Sequence, residues 1–179
     1  MQQDYPAAEK WLLQAAKRGH GQAQIRLGFL YGENHFPGIE TNLGTAEYWL
    51  IQAADQDAVH AKFRLGNFYQ NYLKPPDYPK AEHWLKRASD EDNDGSAQYD
   101  LARLYMSEYL AAPDLPQAEK YLTAAAPNNI RQAQIELVRF YEDQTQFDKA
   151  LYWADHLSKS KTAARYWKGK TEMLKNRIE

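Results

Sequence analysis

Histidine and a recurring glutamate are the residues of this sequence whose types could do acid–base or metal chemistry. The five histidines, at positions 20, 35, 60, 83 and 156, form no HExxH motif and no paired spacing. We therefore expect surface histidines and no metal site. Cysteine is absent, which excludes disulfide frameworks, thiolate zinc sites and cysteine nucleophiles. No P-loop, GxGxxG or GxSxG motif is present, so we expect no catalytic residues and no cofactor.

The glutamate recurs in four copies of a short motif. Residues 4–9 read Asp-Tyr-Pro-Ala-Ala-Glu, and related hexapeptides occupy 42–47, 77–82 and 114–119. Because Asp and Asn are N-cap acceptors and proline is tolerated in a first helical turn, the motif predicts helices that start close to Asp4, Asn42, Asp77 and Asp114. The glutamates are then expected in the first turn, where their negative charge interacts favourably with the positive end of the helix dipole. Sites one repeat apart are too distant for a catalytic carboxylate pair at about 5–10 Å.

Two helix types must position these residues. Each hexapeptide opens what we call helix B, an apolar series that ends in an Ala-Ala or Ala-Ser doublet. It alternates with helix A, of pattern Ala-x3-Leu-Gly-x2-Tyr, which begins at Ala23, Ala61, Ala97, Ala133 and weakly at Ala164. The spacings of three, four and seven predict amphipathic helices, and the scarcity of Val, Ile and Thr argues against a sheet. The sequence therefore predicts an all-α fold built from helix pairs.

This alternation resembles the Sel1-like repeat family, a relative of the tetratricopeptide repeats. The resemblance implies a single right-handed α-solenoid over 1–179, with a lone helix B or cap at 1–20. Repeats are expected at 21–57, 58–94 and 95–130, followed by a unit similar to a tetratricopeptide repeat at 131–160 and a capping helix at 161–179. The glycines at positions 28 and 66 are expected to let neighbouring helices approach closely, and the tryptophans of helix B are expected in the core.

The face of helix A that is left free is where the resemblance places partners. A helical wheel predicts this face at offsets −1, +2, +6 and +10 from the first Ala. In the resembling families this face lines a concave groove. Residues at these offsets, which we call slots, are therefore candidates for binding a partner. They are Ile25, Phe29, His60, Phe63, Asn67, Tyr99, Arg103, Ile135, Arg139, Tyr166 and Lys170. The row at +2 is equally compatible with packing and with binding.

Charge is unevenly distributed along the chain. Seven basic and two acidic residues lie between Lys159 and Glu179, although the whole chain has net charge −2. Arg103, Arg139 and Lys170 share the +6 slot and predict a basic stripe that would hold an acidic peptide. The acidic run at positions 90, 91, 92 and 94 is expected in a solvated turn rather than at a site for a cation or a basic partner.

A protein–protein interaction scaffold or adaptor is the function that the resemblance implies. Such proteins are frequently bacterial and work in envelope assembly, secretion, signalling or neutralisation of a cognate effector. A regulatory or structural segment of a larger protein is the alternative, and a hydrolase is less favoured. The low net charge argues against general nucleic-acid binding, and no apolar run approaches a membrane span. No leader segment opens the chain, so we expect a bacterial cytoplasmic or periplasmic protein, with oligomeric state and partner left open.

Overall fold

The computed structural model describes residues 4–107, 109, 112–128, 130–159 and 163–178. Ten α-helices and a short 3-10 turn at Ala126–Asn128 make up the regular structure of these residues, which contain no strand. The all-α prediction is therefore confirmed. The helices are α1 Tyr5–Lys17, α2 Gly21–Gly32, α3 Leu43–Asp55, α4 Ala61–Asn71, α5 Tyr78–Asp92, α6 Gly95–Met106, α7 Leu115–Ala125, α8 Arg131–Asp143, α9 Phe147–Ser158 and α10 Ala164–Ile178.

Four of the odd-numbered helices begin where the sequence predicts. Asp4, Asn42, Asp77 and Asp114 are the N-cap residues of α1, α3, α5 and α7. In each case the side-chain oxygen accepts a hydrogen bond from the backbone N–H three residues on, at 2.9–3.1 Å. Proline follows in the first turn of α1, α5 and α7, where its missing N–H costs nothing. These predicted helix starts are confirmed.

The chain divides into two compact units, residues 1–97 and 98–179. In the first unit α1, α2, α3, α4 and α5 pack in sequence order, and α2 also packs on α4. In the second unit α7, α8, α9 and α10 pack in sequence order in the same way. Each unit therefore builds its core from neighbouring helices, none of which could bury its apolar face alone.

The repeated apolar slots form these cores. Leu27, Leu65, Leu101 and Leu137 occupy the same slot of helix A and are all fully buried. Small residues beside them bring helices close together. A Cβ built on Gly28 would lie 2.5 Å from Cγ of Leu50, and one on Gly66 would lie 2.7 Å from Cγ of Leu85. The expected packing role of these two glycines is confirmed.

Equivalent backbone hydrogen bonds close the loops that lead from α2 to α3, from α4 to α5, from α6 to α7 and from α8 to α9. The N-cap N–H of Asn42 donates to the carbonyl of Tyr31, and that of Asp77 donates to Tyr69, both at 2.9 Å. Asp114 to Tyr105 and Gln146 to Tyr141 repeat the bond at 2.9 and 2.8 Å. Because the bond joins the loop ends, the loop between them can vary in length without moving the helices. The separation between the two bonded residues accordingly ranges from 5 positions, Tyr141 to Gln146, to 11 positions, Tyr31 to Asn42.

Two expectations about the core and the loops are wrong. Trp11 is 71% exposed, whereas Trp49 in the same slot of the next helix B is buried against α1 and α2. A tryptophan at this position packs against the helix pair that precedes its own helix, as Trp49 does. No helix pair precedes α1 among the described residues. The acidic run is not a turn either: positions 90–92 are exposed, as expected, but they end helix α5, and Asp94 is buried.

Candidate partner-binding surfaces

The exposed face of helix A includes three of the four predicted offsets. Positions at −1, +6 and +10 from the first Ala are exposed or half-buried in all four copies, and so are those at +3. At offset +2 one of the four copies is buried. Ile25 is a core residue at 7% exposure, and Phe63, Tyr99 and Ile135 are half-buried. Ile25 is therefore removed from the candidate surface, because its side chain packs against α3 and α4. The +3 row, which the wheel missed, contributes Arg26, Arg64, Asp100 and Glu136.

In the first unit three candidates gather around one of these missed residues. The guanidinium of Arg64 lies 5.0 Å from the ring centroid of Phe29 and 5.5 Å from that of Phe63. Phe29 and Arg64 line a small apolar cleft, and Asn67 and Tyr72 line it too. The Tyr72 hydroxyl donates to Glu33 at 2.7 Å, and burial with this bond raises the pKa of Tyr72. The structure thus brings Phe29, Phe63 and Asn67 together, with Arg64 covering the two phenylalanine rings.

His60, another candidate, is held by a buried carboxylate. Its Nδ1 lies 2.7 Å from Oδ2 of Asp94, whose other oxygen accepts from the N–H groups of Ser96 and Ala97. The ring itself stays exposed, and its backbone has a positive φ of 65° at the N-cap of α4. Asp94 therefore joins the start of α4 to the start of α6, and the contact has a structural role.

The acidic run has its cationic partner inside the chain. Lys62 is 2% exposed, and its Nζ lies 2.8 Å from Asp57, 3.2 Å from Glu91 and 2.9 Å from Asp92. Burial alone lowers the pKa of Lys62, but hydrogen bonds to the three carboxylates outweigh it and raise the pKa. Glutamine fills the equivalent slot of other A helices, as Gln24 and Gln134. This substitution was the signal in the sequence that could have revealed the pairing.

Helix α10 departs from the repeat that the sequence suggested for it. Its buried residues are Trp167, Thr171 and Leu174, three positions out of register with a frame that starts at Ala164. Gly169, placed in the packing slot by that frame, is exposed, and a Cβ added there would meet nothing within 4 Å. The weak fifth copy of helix A is therefore wrong, and the slots assigned to Tyr166 and Lys170 lose their basis in the repeat.

The out-of-register helix nevertheless forms a groove with α8. The groove has a volume of about 370 Å³. Its apolar lining comes from Ile135, Val138 and the buried Trp167, and Tyr166, which is 61% exposed, stands at its edge. Arg131, Arg139, Lys170 and Glu142 also line it. Four of the predicted residues, Ile135, Arg139, Tyr166 and Lys170, thus line one surface.

The three predicted cations of the second unit do not form a stripe of equivalent charges. Lys170 is only 21% exposed at its side chain, and its Nζ binds Glu142 at 2.7 Å. Arg103 lies over the ring of Tyr99, 6.0 Å from its centroid, and is not among the residues that line the groove. Arg139 is 68% exposed at its side chain and holds Glu136 at 3.2 Å. Arg139 is therefore the groove cation that a partner can reach most easily.

The recurring glutamates have a different role from the expected one. Each helix B begins at the residue after its N-cap, so Glu9, Glu47 and Glu119 lie beyond the first turn, which contains no acidic residue. They accept a hydrogen bond from the tyrosine of the following helix A. The pairs are Tyr31 with Glu9 at 2.5 Å, Tyr69 with Glu47 at 2.5 Å and Tyr141 with Glu119 at 2.8 Å. The constant separation of 22 residues was the sequence signal for this contact.

A lysine completes this contact in two of the copies. Lys80 lies 3.6 Å from Glu47 and 4.8 Å from the ring centroid of Tyr69. Lys149 lies 3.0 Å from Glu119 and 4.9 Å from the ring centroid of Tyr141. We call this arrangement the Glu–Tyr–Lys cluster. Lys149 and Tyr141 lower the pKa of Glu119 through their hydrogen bonds, and burial, with the bond to Glu119, raises the pKa of Tyr141 to about 12.

Other kinds of site were sought in the described ranges. No group of three or more His, Asp or Glu side chains there could hold a metal ion. None of the helices described is both long and apolar enough to cross a membrane.

Helix pairs of this kind define an α-helical repeat protein, with glycines at two of the helix crossings and a tyrosine-to-glutamate hydrogen bond in three of the copies. The chain belongs to the Sel1 repeat family, which matches residues 1–20, 21–57, 59–93 and 95–128. Repeats of this family commonly act as protein-interaction scaffolds, and the fold is typically non-catalytic. No curated protein matches the sequence at a significant level.

Solved structures share the fold. The c5321 protein, a protective antigen of uropathogenic Escherichia coli strains with an SLR fold, is 22% identical over 96% of this chain, with a TM-score of 0.74. A Sel1 repeat protein from Oxalobacter formigenes is 28% identical over 83% of it, with a TM-score of 0.67. Protein 5086 of Pseudomonas aeruginosa is 23% identical over 85% of it, with a TM-score of 0.57. The alignments cover 37%, 60% and 57% of those chains.

Proposed function

We propose that this protein is a non-catalytic binding module that captures an acidic segment of a partner protein in the groove between α8 and α10. The observation that carries the proposal is the combination of an apolar lining with an accessible arginine. Ile135 and Tyr166 offer apolar surface above the buried Val138 and Trp167, and Arg139 is exposed beside them. Aromatic and arginine side chains around an apolar centre are typical of protein-binding hot spots.

The charge of the groove selects the partner. Three basic side chains and one acidic side chain line it, and α10 lies in the basic C-terminal stretch of the sequence. The bond from Arg139 to Glu136 is a surface contact worth about 0–1 kcal/mol, so a carboxylate of the partner can replace Glu136 at little cost. The planar guanidinium can then bind that carboxylate through two hydrogen bonds.

Lys170 contributes to this surface in a different way from Arg139. Its ammonium group binds Glu142 at 2.7 Å, and both side chains are largely buried. Reversal of its charge would place two carboxylates together and disturb the groove itself. Lys170 therefore positions Glu142 and the lining, whereas Arg139 supplies the charge that the partner meets.

Selection of a displayed library of random peptides on the purified protein tests the proposal. We expect the enriched peptides to combine acidic residues with a leucine or an aromatic residue, and their binding to weaken as salt is raised. Arg139→Glu should weaken the best peptide about tenfold or more, and Tyr166→Ala should weaken it by a smaller factor.

Arg103→Glu is the matched control. It makes the same charge change in the same unit but outside the residues that line the groove, so affinity should change less than about threefold. Enrichment of basic peptides, no enrichment, or equal losses for Arg103→Glu and Arg139→Glu would contradict the proposal. The binding step proposed here is common to envelope, secretion and effector-neutralising roles, and the identity of the captured partner distinguishes among them.

A further inference from the structure

The first copy of the Glu–Tyr–Lys cluster lacks its lysine. In the second copy the cation is Lys80, three residues after the N-cap Asp77, and Lys149 holds the corresponding place beside Glu119. Three residues after the N-cap Asn42 the chain instead has Thr45. The tyrosine and the glutamate are both retained, because the Tyr31 hydroxyl donates to Glu9 at 2.5 Å.

A cavity occupies the place of the missing side chain. Its volume is about 340 Å³, and Glu9, Tyr31, Asn42 and Thr45 are among the residues that line it. The loop before α3 adds a second carboxylate, that of Glu40. In the complete copy a second carboxylate is also near the cation, since Lys80 lies 3.6 Å from Asp77. None of the eight lining residues carries a positive charge.

We propose that this cavity binds a primary ammonium group, such as the end of a lysine side chain presented by another molecule. The two complete clusters of this chain show how such a group fits: its nitrogen lies 3.0–3.6 Å from the glutamate and 4.8–4.9 Å from the tyrosine ring centroid. Glu9 would accept a charge-assisted hydrogen bond, and the face of Tyr31 would attract the cation. Glu40 would take the place of Asp77.

The third copy shows that the lysine is a variable feature of the repeat. Its sequence has Gln117 three residues after the N-cap Asp114. The ammonium site is therefore proposed for the first copy alone, where a cavity and two carboxylates accompany the neutral residue. It lies in the first unit and is independent of the α8–α10 groove, so its failure would leave the proposed function intact.

A titration followed by amide NMR tests this proposal on the whole protein. The probe is Nα-acetyl-lysine methylamide, and its control is the norleucine analogue, which has the same aliphatic chain without the charge. We expect saturable shifts at the amides of Glu9, Tyr31 and Thr45 with the lysine probe, and about tenfold weaker binding or none with norleucine. Butylammonium distinguishes the sources: binding equal to that of the lysine probe identifies the ammonium group alone, and weaker binding adds contacts from the peptide backbone.

Two variants make the test decisive. Thr45→Lys supplies the chain's own cation, so it should abolish the shifts and raise the melting temperature by about 1–4 °C. Glu9→Gln removes the acceptor charge and should weaken the probe about tenfold while the protein stays folded. Shifts that persist in Thr45→Lys, or that the norleucine analogue reproduces, would overturn the proposal.

Discussion

Two regions of the molecule differ in how closely they follow the repeat. They are the hairpin of α4 and α5, and the surface between α8 and α10. In the first, Gly66 packs against Leu85, and Lys62 and Lys80 are each bound by carboxylates of the chain. In the second, α10 is out of register, Gly169 meets nothing and Tyr166 is exposed. Where the sequence keeps the repeat, carboxylates of the chain bind these two lysines. Where α10 departs from the repeat, a groove lies between it and α8, and there we propose that the partner binds.

The largest effect is expected from the core of the regular region. Leu65 is fully buried in the repeated leucine slot, so Leu65→Ala should lower the free energy of unfolding by about 2–5 kcal/mol through the cavity that it leaves. Leu115→Ala is the matched control, because this leucine is 42% exposed at the start of α7 and its loss should cost less than about 1 kcal/mol. Urea denaturation measures both. Equal losses would contradict the assignment of the slots.

A pair of glycine substitutions compares the two regions directly. Gly66→Ala places a methyl group 2.7 Å from Cγ of Leu85 and should destabilise the protein by about 1–3 kcal/mol. Gly169→Ala meets no atom within 4 Å and should stabilise α10 by up to about 1 kcal/mol, because alanine is the better helix former. The two melting temperatures should move in opposite directions. A loss of stability in both would mean that α10 packs as a regular helix A.

The smallest effect concerns a part of α8 that keeps the repeat. The pKa of Tyr141 is raised from 10.0 to about 12, by burial and by the bond to Glu119. A raised pKa in the folded state stabilises the protein below pH 10, and this contribution is lost as the pH rises to about 12. Tyr141→Phe should therefore cost about 1 kcal/mol near neutral pH and progressively less above pH 10.

Chemical denaturation of the wild type and of Tyr141→Phe across this pH range gives the difference. If the loss of unfolding free energy in Tyr141→Phe stays constant up to pH 12, the hydroxyl makes no hydrogen bond to Glu119 that ionisation can break. The same experiment on Tyr69→Phe extends it to α4, where the equivalent tyrosine bonds to Glu47 at 2.5 Å.

Regular features of this molecule were readable from the sequence because each one recurs. The N-cap at Asp77 and the buried Leu65 follow from local rules that four copies repeat. The register of α10 was not readable, because Ala164 and Gly169 copy the motif by chance while Trp167 decides which face is buried. The contacts of Lys62 were also missed, since its carboxylates belong to other elements that only folding brings together.

The exposed face of helix A was predicted in part for the same reason. The helical wheel of helix A correctly placed Arg139 on the exposed face. It also placed Ile25 there, although α3 and α4 cover that residue in the folded unit. A helical wheel treats one helix by itself. The boundary between covered and free residues depends on the neighbouring helices, which the sequence of one helix does not specify.

Hydrogen exchange of the complex with the best acidic peptide tests the central claim most directly. We expect slower amide exchange in α8 and α10, at Arg131–Asp143 and Ala164–Ile178, and unchanged exchange in α2 and α4. This result would place the partner between α8 and α10, the helix whose sequence departs from the repeat. Protection centred on α2 and α4, with α8 and α10 unchanged, would contradict the account and assign binding to the regular repeats.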